Sequence, residues 1–479
     1  MNQPMYPEAM TDENIQNIFQ GAGDFIRRKL FCRGMTLYAY MIDGLVSGGD
    51  ASEYVLKPIS QDLQGDKLRT LYDEALTGVV YNAVADPCKD LDTVAMKLVN
   101  GFCVVLFPEV GAIAFEVKTG EKRSPAAPEV ENTVKGPKDA FTETIRTNTS
   151  LIRRHMRTPE LRLYQTVVGK RSLTNVTVAY IDGLTSPELV ERMCRRLDEI
   201  DIDGMVTPAA VEEYVTGSRP TAFPLLQYTQ RADKFCQGLL AGRVGLLVDG
   251  LPQGYLAPVD LGYLMTSPED RGMSYLAASA VRVLRYIALL LSLLLPGFYV
   301  AMATYHQEMI PLPLLNAMIE SKLSVPFPTI VEVLALLLAF ELLQEAGINL
   351  PQSIGQTVSI IGGLVVGSAA VEAKLISPAA LIAVAVAGIC GFALPGRDFA
   401  DAIRLWRLAL TVTSAVAGLF GLSAGFIALV IHLSGLDSLG VGYLLPFSRG
   451  GYPGILRPRL FRDKFRDSAL KPKDKRNQR

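Results

Sequence analysis

Charged and apolar residues are distributed unevenly along this 479-residue chain. Residues 283–446 carry 15 charged side chains, whereas residues 1–282 carry 66 and residues 447–479 carry 14. A helix needs about 20 apolar residues to cross the hydrocarbon core of a membrane. Apolar runs of roughly this length lie at 286–304, 354–372, 379–395 and 408–434. The pattern predicts a hydrophilic N-terminal region, then an all-α polytopic membrane domain, then a basic tail.

The hydrophilic region contains an internal repeat. The stretch 40–45 (YMIDGL) matches 179–184 (AYIDGL) at an offset of 139, and 100–107 (NGFCVVLF) matches 241–248 (AGRVGLLV) at an offset of 141. In each copy a β-rich apolar run ends at a turn, which Asp-Gly supplies at residues 43, 182 and 249. Two matches at nearly one offset predict an α/β soluble region made of two related subdomains.

These patterns together predict six segments along the chain. They are a flexible N-terminus (1–19), α/β subdomain 1 (20–118), a linker and helix (119–159), α/β subdomain 2 (160–281), a membrane domain (282–446) and a basic cytoplasmic tail (447–479).

A further apolar run, 329–346, carries three carboxylates, among them the candidate intramembrane acids Glu332 and Glu341. Because charges in lipid are costly, these side chains are expected to face a protein interior, a watery cavity or the interface. Arginines before the first span and the basic tail place both chain ends in the cytoplasm, which requires an even number of crossings. Four spans satisfy this if 329–346 is re-entrant. Five spans instead place the arginine-bearing loop 396–407 in the cytoplasm but put the basic tail on the other side of the membrane. The sequence therefore leaves the number of transmembrane helices at four or five.

The apolar run 354–371 differs from the others because small or weakly polar residues recur on one helical face. Such a stripe forms either a close helix-packing seam, with the Gly-x-x-x-Gly pattern of residues 363–367 at its centre, or the lining of a narrow pore. The candidate pore-lining residues are Gln356, Ser359, Gly363, Val366 and Gly367.

Catalytic and cofactor chemistry has little support in the sequence. The three histidines, His155, His306 and His432, fall in different regions, and the six cysteines form no metal-binding pattern. The Gly-x-Ser-x-Gly pattern of residues 421–425 lies inside an apolar run, where small residues for helix packing explain it better than a catalytic serine. A net charge of −1 gives no reason to expect nucleic acid. The sequence therefore predicts no enzyme, no cofactor and no metal site.

The predicted helix between the two subdomains is rich in cations. Its arginines at positions 146, 153, 154 and 157 would either form a solvated helix face or meet acidic head groups or a partner. The solvated face is the favoured interpretation.

Several motifs resemble the GerA family, the A subunits of spore germinant receptors. In the hydrophilic region they are 148–154 (NTSLIRR), 242–250 (GRVGLLVDG) and 267–270 (SPED). In the apolar region they are 306–311 (HQEMIP), 325–328 (VPFP), 344–351 (QEAGINLP), 354–356 (IGQ), 370–373 (AVEA) and 377–378 (SP). The resemblance covers about residues 20–446.

This resemblance implies a protein of the spore inner membrane with a cytoplasmic N-terminal region. It also implies membrane lipids, a transporter-like B subunit, a lipoprotein C subunit and further copies of the chain in a pentameric ring as partners. Its membrane helices would then form a nutrient-gated ion channel. Glu332 and Glu341 would either attract cations near the pathway or form structural ion pairs. The alternative is a non-conducting scaffold that couples a nutrient-sensing partner to the dipicolinate channel, and a paralogue associated with that channel also remains open.

Overall fold

The computed structural model describes residues 5–80, 82, 84–118, 136–205, 207–217, 220–349, 368–444 and 447. The described residues form two compact units. The α/β unit contains the residues up to 217 together with 226–258. The helical unit contains Pro220–Leu225 and the residues from Val259 onward.

The α/β unit contains two five-stranded antiparallel sheets with the same strand order. The first sheet has the order β1-β2-β4-β5-β3 and the second has the order β6-β7-β9-β10-β8. The first is built from β1 (Phe25–Cys32), β2 (Met35–Ile42), β3 (Ala85–Cys88), β4 (Phe102–Phe107) and β5 (Gly111–Glu116). The second is built from β6 (Leu161–Val168), β7 (Thr174–Ile181), β8 (Gln227–Thr229), β9 (Val244–Val248) and β10 (Gly254–Ala257). The strands that carry the sequence repeat, β2 with β7 and β4 with β9, occupy equivalent places, and the predicted α/β class is confirmed.

Helices accompany each sheet. In the first copy they are α1 (Asp12–Ile18), α2 (Gly48–Ala51), a π-helical turn (Ser52–Leu56), α3 (Lys57–Gln61), α4 (Leu68–Thr77) and α5 (Leu91–Val99). In the second copy they are α6 (Ile145–His155), α7 (Pro187–Asp198), α8 (Pro208–Thr216) and α9 (Ala232–Leu240).

The first sheet is buried on both faces at β4, which explains why this strand is an unbroken apolar run. Alternate side chains of β4 enter two separate cores, because successive residues of a strand point to opposite faces. Cys103 and Val105 pack with residues of α2 to α4, whereas Val104 and Leu106 pack with residues of α1 and α5. A strand covered on both sides therefore carries no polar alternation.

Helix α6 joins the two copies through the Asp-Gly turns of both. The Asp43 carboxylate of the first copy accepts a hydrogen bond from Arg146 at 2.7 Å, and the Gly44 carbonyl accepts one from the Ser150 hydroxyl at 2.8 Å. From the second copy, the Asp249 carboxylate accepts the Ile145 N–H at 3.0 Å. Gly44, Gly183 and Gly250 all have positive φ, as the sequence requires of these turns.

The solvated face that the sequence favours holds for Arg146, Arg154 and Arg157, which are exposed, but not for Arg153. Arg153 is 1% exposed, and its guanidinium donates to both carboxylate oxygens of Asp24 at 2.7 and 2.8 Å. Asn148 is also fully buried and exchanges two hydrogen bonds with the backbone of Thr142. The conspicuous motif at 148–154 therefore forms a buried joint, and Arg153 is not available to lipid or to a partner.

The helical unit begins with two short helices and continues with long apolar ones. Its elements are α10 (Leu261–Leu264), α11 (Glu269–Gly272), α12 (Tyr275–Thr304), a 3-10 turn (Gln307–Met309), α13 (Leu312–Lys322), α14 (Thr329–Asn349), α15 (Pro378–Phe392), α16 (Arg397–Gly435) and the short strands β11 (Asp437–Ser438) and β12 (Val441–Gly442). Among the described residues, α12 and α16 are long and apolar enough to cross a membrane by length and composition.

Helix α16 is a hairpin of two antiparallel arms, although its sequence predicts a single span over 408–434. The backbone leaves the helical region at Ala417 and at Gly418, where φ is 58°. Across the arms, a Cβ on Gly421 would clash with the Thr413 carbonyl oxygen, and the ring centroids of Trp406 and His432 are 5.5 Å apart. The arms, 397–416 and 419–435, are therefore about 30 and 25 Å long.

Tyr305 closes the end of the first arm. Its single hydroxyl proton is shared between the carbonyls of Ala415 and Val416, which lie at 2.8 and 3.1 Å from the oxygen. These are carbonyls that a helix end leaves without intrahelical partners. The reversal is thus stabilised by α12, because Tyr305 directly follows that helix.

Replacing Arg153 with Ala should lower the free energy of unfolding of the α/β unit by about 3–5 kcal/mol, because Asp24 would stay buried without its partner. Arg146→Ala is the matched control, because it removes the pair with Asp43, in which the arginine is 60% exposed. It should lower the free energy of unfolding by at most about 1 kcal/mol. Urea unfolding of the full-length chain in detergent micelles measures both. Similar losses in the two variants would contradict the buried joint.

The His155–Asp139 pair predicts a pH-dependent stability. The hydrogen bond from His155 Nε2 to Asp139, 2.6 Å long, raises the pKa of the histidine and lowers the pKa of the aspartate. Since the folded-state pKa of His155 is raised, its stabilisation is complete below the unfolded pKa of about 6.5 and is lost as pH rises through the folded value. The excess unfolding free energy of wild type over His155→Gln should therefore fall above about pH 6.5. Asp139→Asn should remove the same pH dependence, and a constant difference would refute the pair.

Candidate functional site

The candidate residues of the apolar region fall into two sets. Glu332 and Glu341 lie on α14 and are described by the structure. The candidate pore-lining residues Gln356, Ser359, Gly363, Val366 and Gly367 lie outside the described residues.

Glu332 sits at the start of α14 and is 1% exposed. Its Oε2 accepts the backbone N–H of Ser377 at 3.0 Å and the Ser377 hydroxyl at 2.8 Å. Ser377 is the residue that precedes α15, so the carboxylate meets the positive end of that helix. Within the described part of the chain, the other oxygen, Oε1, is buried without a hydrogen-bond partner. The carboxylate thus ties α14 to α15 inside an apolar cluster that includes Val333 and Val384.

Glu341 lies further along α14 and meets the first arm of α16. Its Oε1 accepts a hydrogen bond from Arg407 at 2.7 Å, and its Oε2 lies 3.8 Å from Arg404. Arg407 is 3% exposed, whereas Glu341 is 27% exposed. Arg404 also donates to Asp401 at 2.7 Å. The cations that complicate the sequence-based topology are therefore engaged by acids of the same unit.

A third charged cluster was not foreseen from the sequence. Asp270 is fully buried and accepts hydrogen bonds from Arg282 at 2.9 Å and from Arg285 at 2.7 and 2.8 Å. The Ser-Pro-Glu-Asp motif that contains Asp270 was visible, but its role depends on α12 folding back onto it. The spacing of 12 and 15 residues crosses a turn that local patterns do not fix.

The described residues bring together no catalytic constellation of the usual kind. His155 pairs with Asp139, His306 lies beside Gly418, and the His432 ring is tilted against that of Trp406, so the three rings lie in three different places. No group of three or more His, Cys, Asp or Glu side chains suited to a metal ion occurs among the described residues. Burial raises the pKa of the Cys88 thiol to about 11, which makes it a poor nucleophile.

Comparison with known proteins gives matches over nearly the whole chain. The family model of the Bacillus/Clostridium GerA spore germination protein matches residues 13–473. The membrane protein YfkQ of Bacillus subtilis (strain 168) is 35% identical over 443 residues, covering 91% of this chain and 86% of that protein. Spore germination protein KA of the same organism is 34% identical over 439 residues, covering 91% and 80%.

Among solved structures, the N-terminal domain of the A subunit of the Bacillus megaterium spore germinant receptor GerK3 matches with 24% identity and a TM-score of 0.40. The match covers 51% of this chain and 91% of that one. The family model and the two Bacillus subtilis relatives, both above 30% identity and covering most of each chain, establish that this chain belongs to the GerA family of Bacillus/Clostridium spore germination proteins.

Proposed function

We propose that the chain is the A subunit of a spore germinant receptor and forms an oligomeric, nutrient-gated ion channel in the spore inner membrane. The observation that carries this is the family match over residues 13–473, which includes both the α/β unit and the helical unit. A subunits of this family act with B and C subunits, so a transporter-like B subunit and a lipoprotein C subunit are the proposed partners. Five copies of the chain would assemble into a ring.

The surface of the helical unit supports a membrane location. Large apolar side chains that water would disfavour are exposed on several helices: Leu276, Leu284, Leu290, Phe298, Leu342, Ile389, Val416, Phe420 and Ile431. Lipid or neighbouring copies would cover them. The charges of Asp270 and Glu341, by contrast, are engaged by arginines of the same unit. Such internal pairing is what a low-dielectric surrounding requires.

The ion pathway is proposed along the small-residue stripe of residues 356–367. Ligand binding at a partner would shift the ring between closed and open states, which requires contacts that differ between the two states. With basic segments at the cytoplasmic side, the α/β unit would lie in the cytoplasm.

Glu332 and Glu341 are proposed as structural groups. Glu332 is directed at the N-terminus of α15, and Glu341 pairs with Arg407. A carboxylate that is already paired with a protein cation or helix N-terminus attracts a passing cation less strongly. Glu332 would therefore hold α14 against α15, and Glu341 would hold it against α16, while ions pass along a different route.

The channel proposal predicts the effect of two substitutions in the stripe. Purified protein in planar bilayers should conduct, Val366→Ala should widen the path and raise the unitary conductance, and Gly363→Leu should block it. The physical reason is that pore radius at a constriction sets conduction.

The same recordings decide between the channel and the scaffold. If none of the three proteins conducts while the ring still assembles, the chain is a non-conducting scaffold that couples a nutrient-sensing partner to the dipicolinate channel. Equal conductance in wild type and Gly363→Leu would place the pathway away from the stripe.

Replacing Glu341 with Gln should destabilise the helical unit by about 3 kcal/mol, because Arg407 would remain buried without a counter-charge. Asp401→Asn is the matched control, since Asp401 is 44% exposed and its pair with Arg404 should contribute at most about 1 kcal/mol. Thermal unfolding in detergent micelles measures the difference. A Glu341→Gln protein that keeps wild-type stability but loses cation selectivity would instead assign Glu341 to the ion pathway.

A further inference from the structure

A six-residue segment of the second α/β copy belongs to the helical unit. Pro220–Leu225 lies in the chain between α8 and β8, both of which belong to the α/β unit, yet it packs with residues from Val259 onward. The chain therefore enters the helical unit twice, once through this segment and once at Val259.

Phe223 anchors the segment in an aromatic pocket of the helical unit. The side chain is 2% exposed, and its ring centroid lies 6.1 Å from Phe399, 6.1 Å from Tyr443 and 6.2 Å from His432. Thr221 Oγ1 is within hydrogen-bond distance, 3.0 Å, of Nε2 of the same histidine. Phe399 and His432 come from opposite arms of α16, so one phenylalanine contacts both arms of the hairpin.

A single hydroxyl binds the backbone at both points of entry. Ser438 donates to the Leu225 carbonyl at 2.6 Å and accepts the Val259 N–H at 3.0 Å. Ser438 is fully buried and lies three residues after the end of α16. One side chain thus holds the two entry points together, three residues beyond the end of the hairpin.

The two entry points also start from one pair of strands. Leu225 comes two residues before β8, and Val259 comes two residues after β10. These strands pair antiparallel, with Gln227 opposite Leu256, so both connections leave from the same end of the pair. One residue, Leu226 or Pro258, separates each entry point from its strand, so the distance between strand and entry point can change little. A displacement of β8 and β10 would therefore move the Leu225 and Val259 backbone groups that bind Ser438, and Phe223 with them.

We propose that Pro220–Leu225, held by the Phe223 pocket and Ser438, is a coupling segment that transmits changes in the second α/β sheet to the α16 hairpin. In the proposed receptor this would be the route by which an event at the α/β unit reaches the membrane helices. Only that role rests on the proposed function. The mechanical coupling stands on the contacts of the segment and is tested without conduction or germinant.

The chain carries a native probe of the pocket. Trp406 is the single tryptophan of the sequence and its ring lies 5.5 Å from that of His432. In the full-length chain in detergent micelles, Phe223→Leu and Ser438→Ala should shift its fluorescence emission to longer wavelength, because loosening the segment admits water. Ser434→Ala, which removes only a local hydrogen bond to Ile431, is the control and should leave the emission unchanged.

Transmission is tested by perturbing the strand pair at a distance. Tyr228→Gly in β8 should shift the Trp406 emission, and the shift should be lost when Phe223→Leu is also present. The internal repeat supplies the control, since Asp86→Gly perturbs the equivalent strand β3, which is not next to such a segment. Circular dichroism checks folding, and Tyr228→Ala is the milder variant if Tyr228→Gly unfolds.

The outcomes separate the two proposals. An emission shift with Tyr228→Gly that disappears in the Phe223→Leu background supports the coupling segment, whether or not the protein conducts in bilayers. No shift with either Tyr228 variant, a shift that persists without Phe223, or an equal shift with Asp86→Gly would overturn it. Absence of conduction alone counts only against the channel.

Discussion

The helical unit depends on one constraint: the acids Asp270, Glu332 and Glu341 each bind a group from another helix of the same unit. Asp270 binds two arginines of α12, Glu341 binds Arg407 of the hairpin, and Glu332 binds the start of α15. Each partner lies on a different helix, so satisfying the charges also fixes which helices touch. In a low-dielectric surrounding an unmatched charge would cost more than most packing contacts contribute. The ion pairs therefore specify the helix arrangement that apolar contacts alone would leave degenerate.

The same requirement governs the backbone at the hairpin. Reversing an apolar helix in its middle frees carbonyl groups that water cannot reach in a membrane. The Tyr305 hydroxyl shares its proton between two of them, and Gly418 supplies the positive φ that the reversal needs. Gly421 and Gly425 then let the arms approach closely. Small residues and a single tyrosine hydroxyl thus turn one long apolar stretch into two packed helices.

The α/β unit solves a different problem, which is how to join two copies of one fold. The sequence predicts its Asp-Gly pairs only as chain reversals. In the structure, two of these turns also bind α6. The buried Arg153–Asp24 pair fixes the same helix to the first sheet. One segment of the second copy, Pro220–Leu225, belongs to the helical unit.

The sequence by itself determined the partition into an α/β region and an apolar helical region, the repeat, the turns and the family, because these follow from composition, period and local motifs. It did not determine that 408–434 is part of a hairpin, since an apolar run reads the same whether it continues or reverses. Nor did it show that Arg153 is buried, because a cation on a helix is usually solvated and its partner Asp24 lies 129 residues away. The partners of Asp270, Glu332 and Glu341 were likewise decided only by tertiary structure. Charge pairing and backbone satisfaction act between residues distant in the chain, and only the folded arrangement specifies which of the available groups meet.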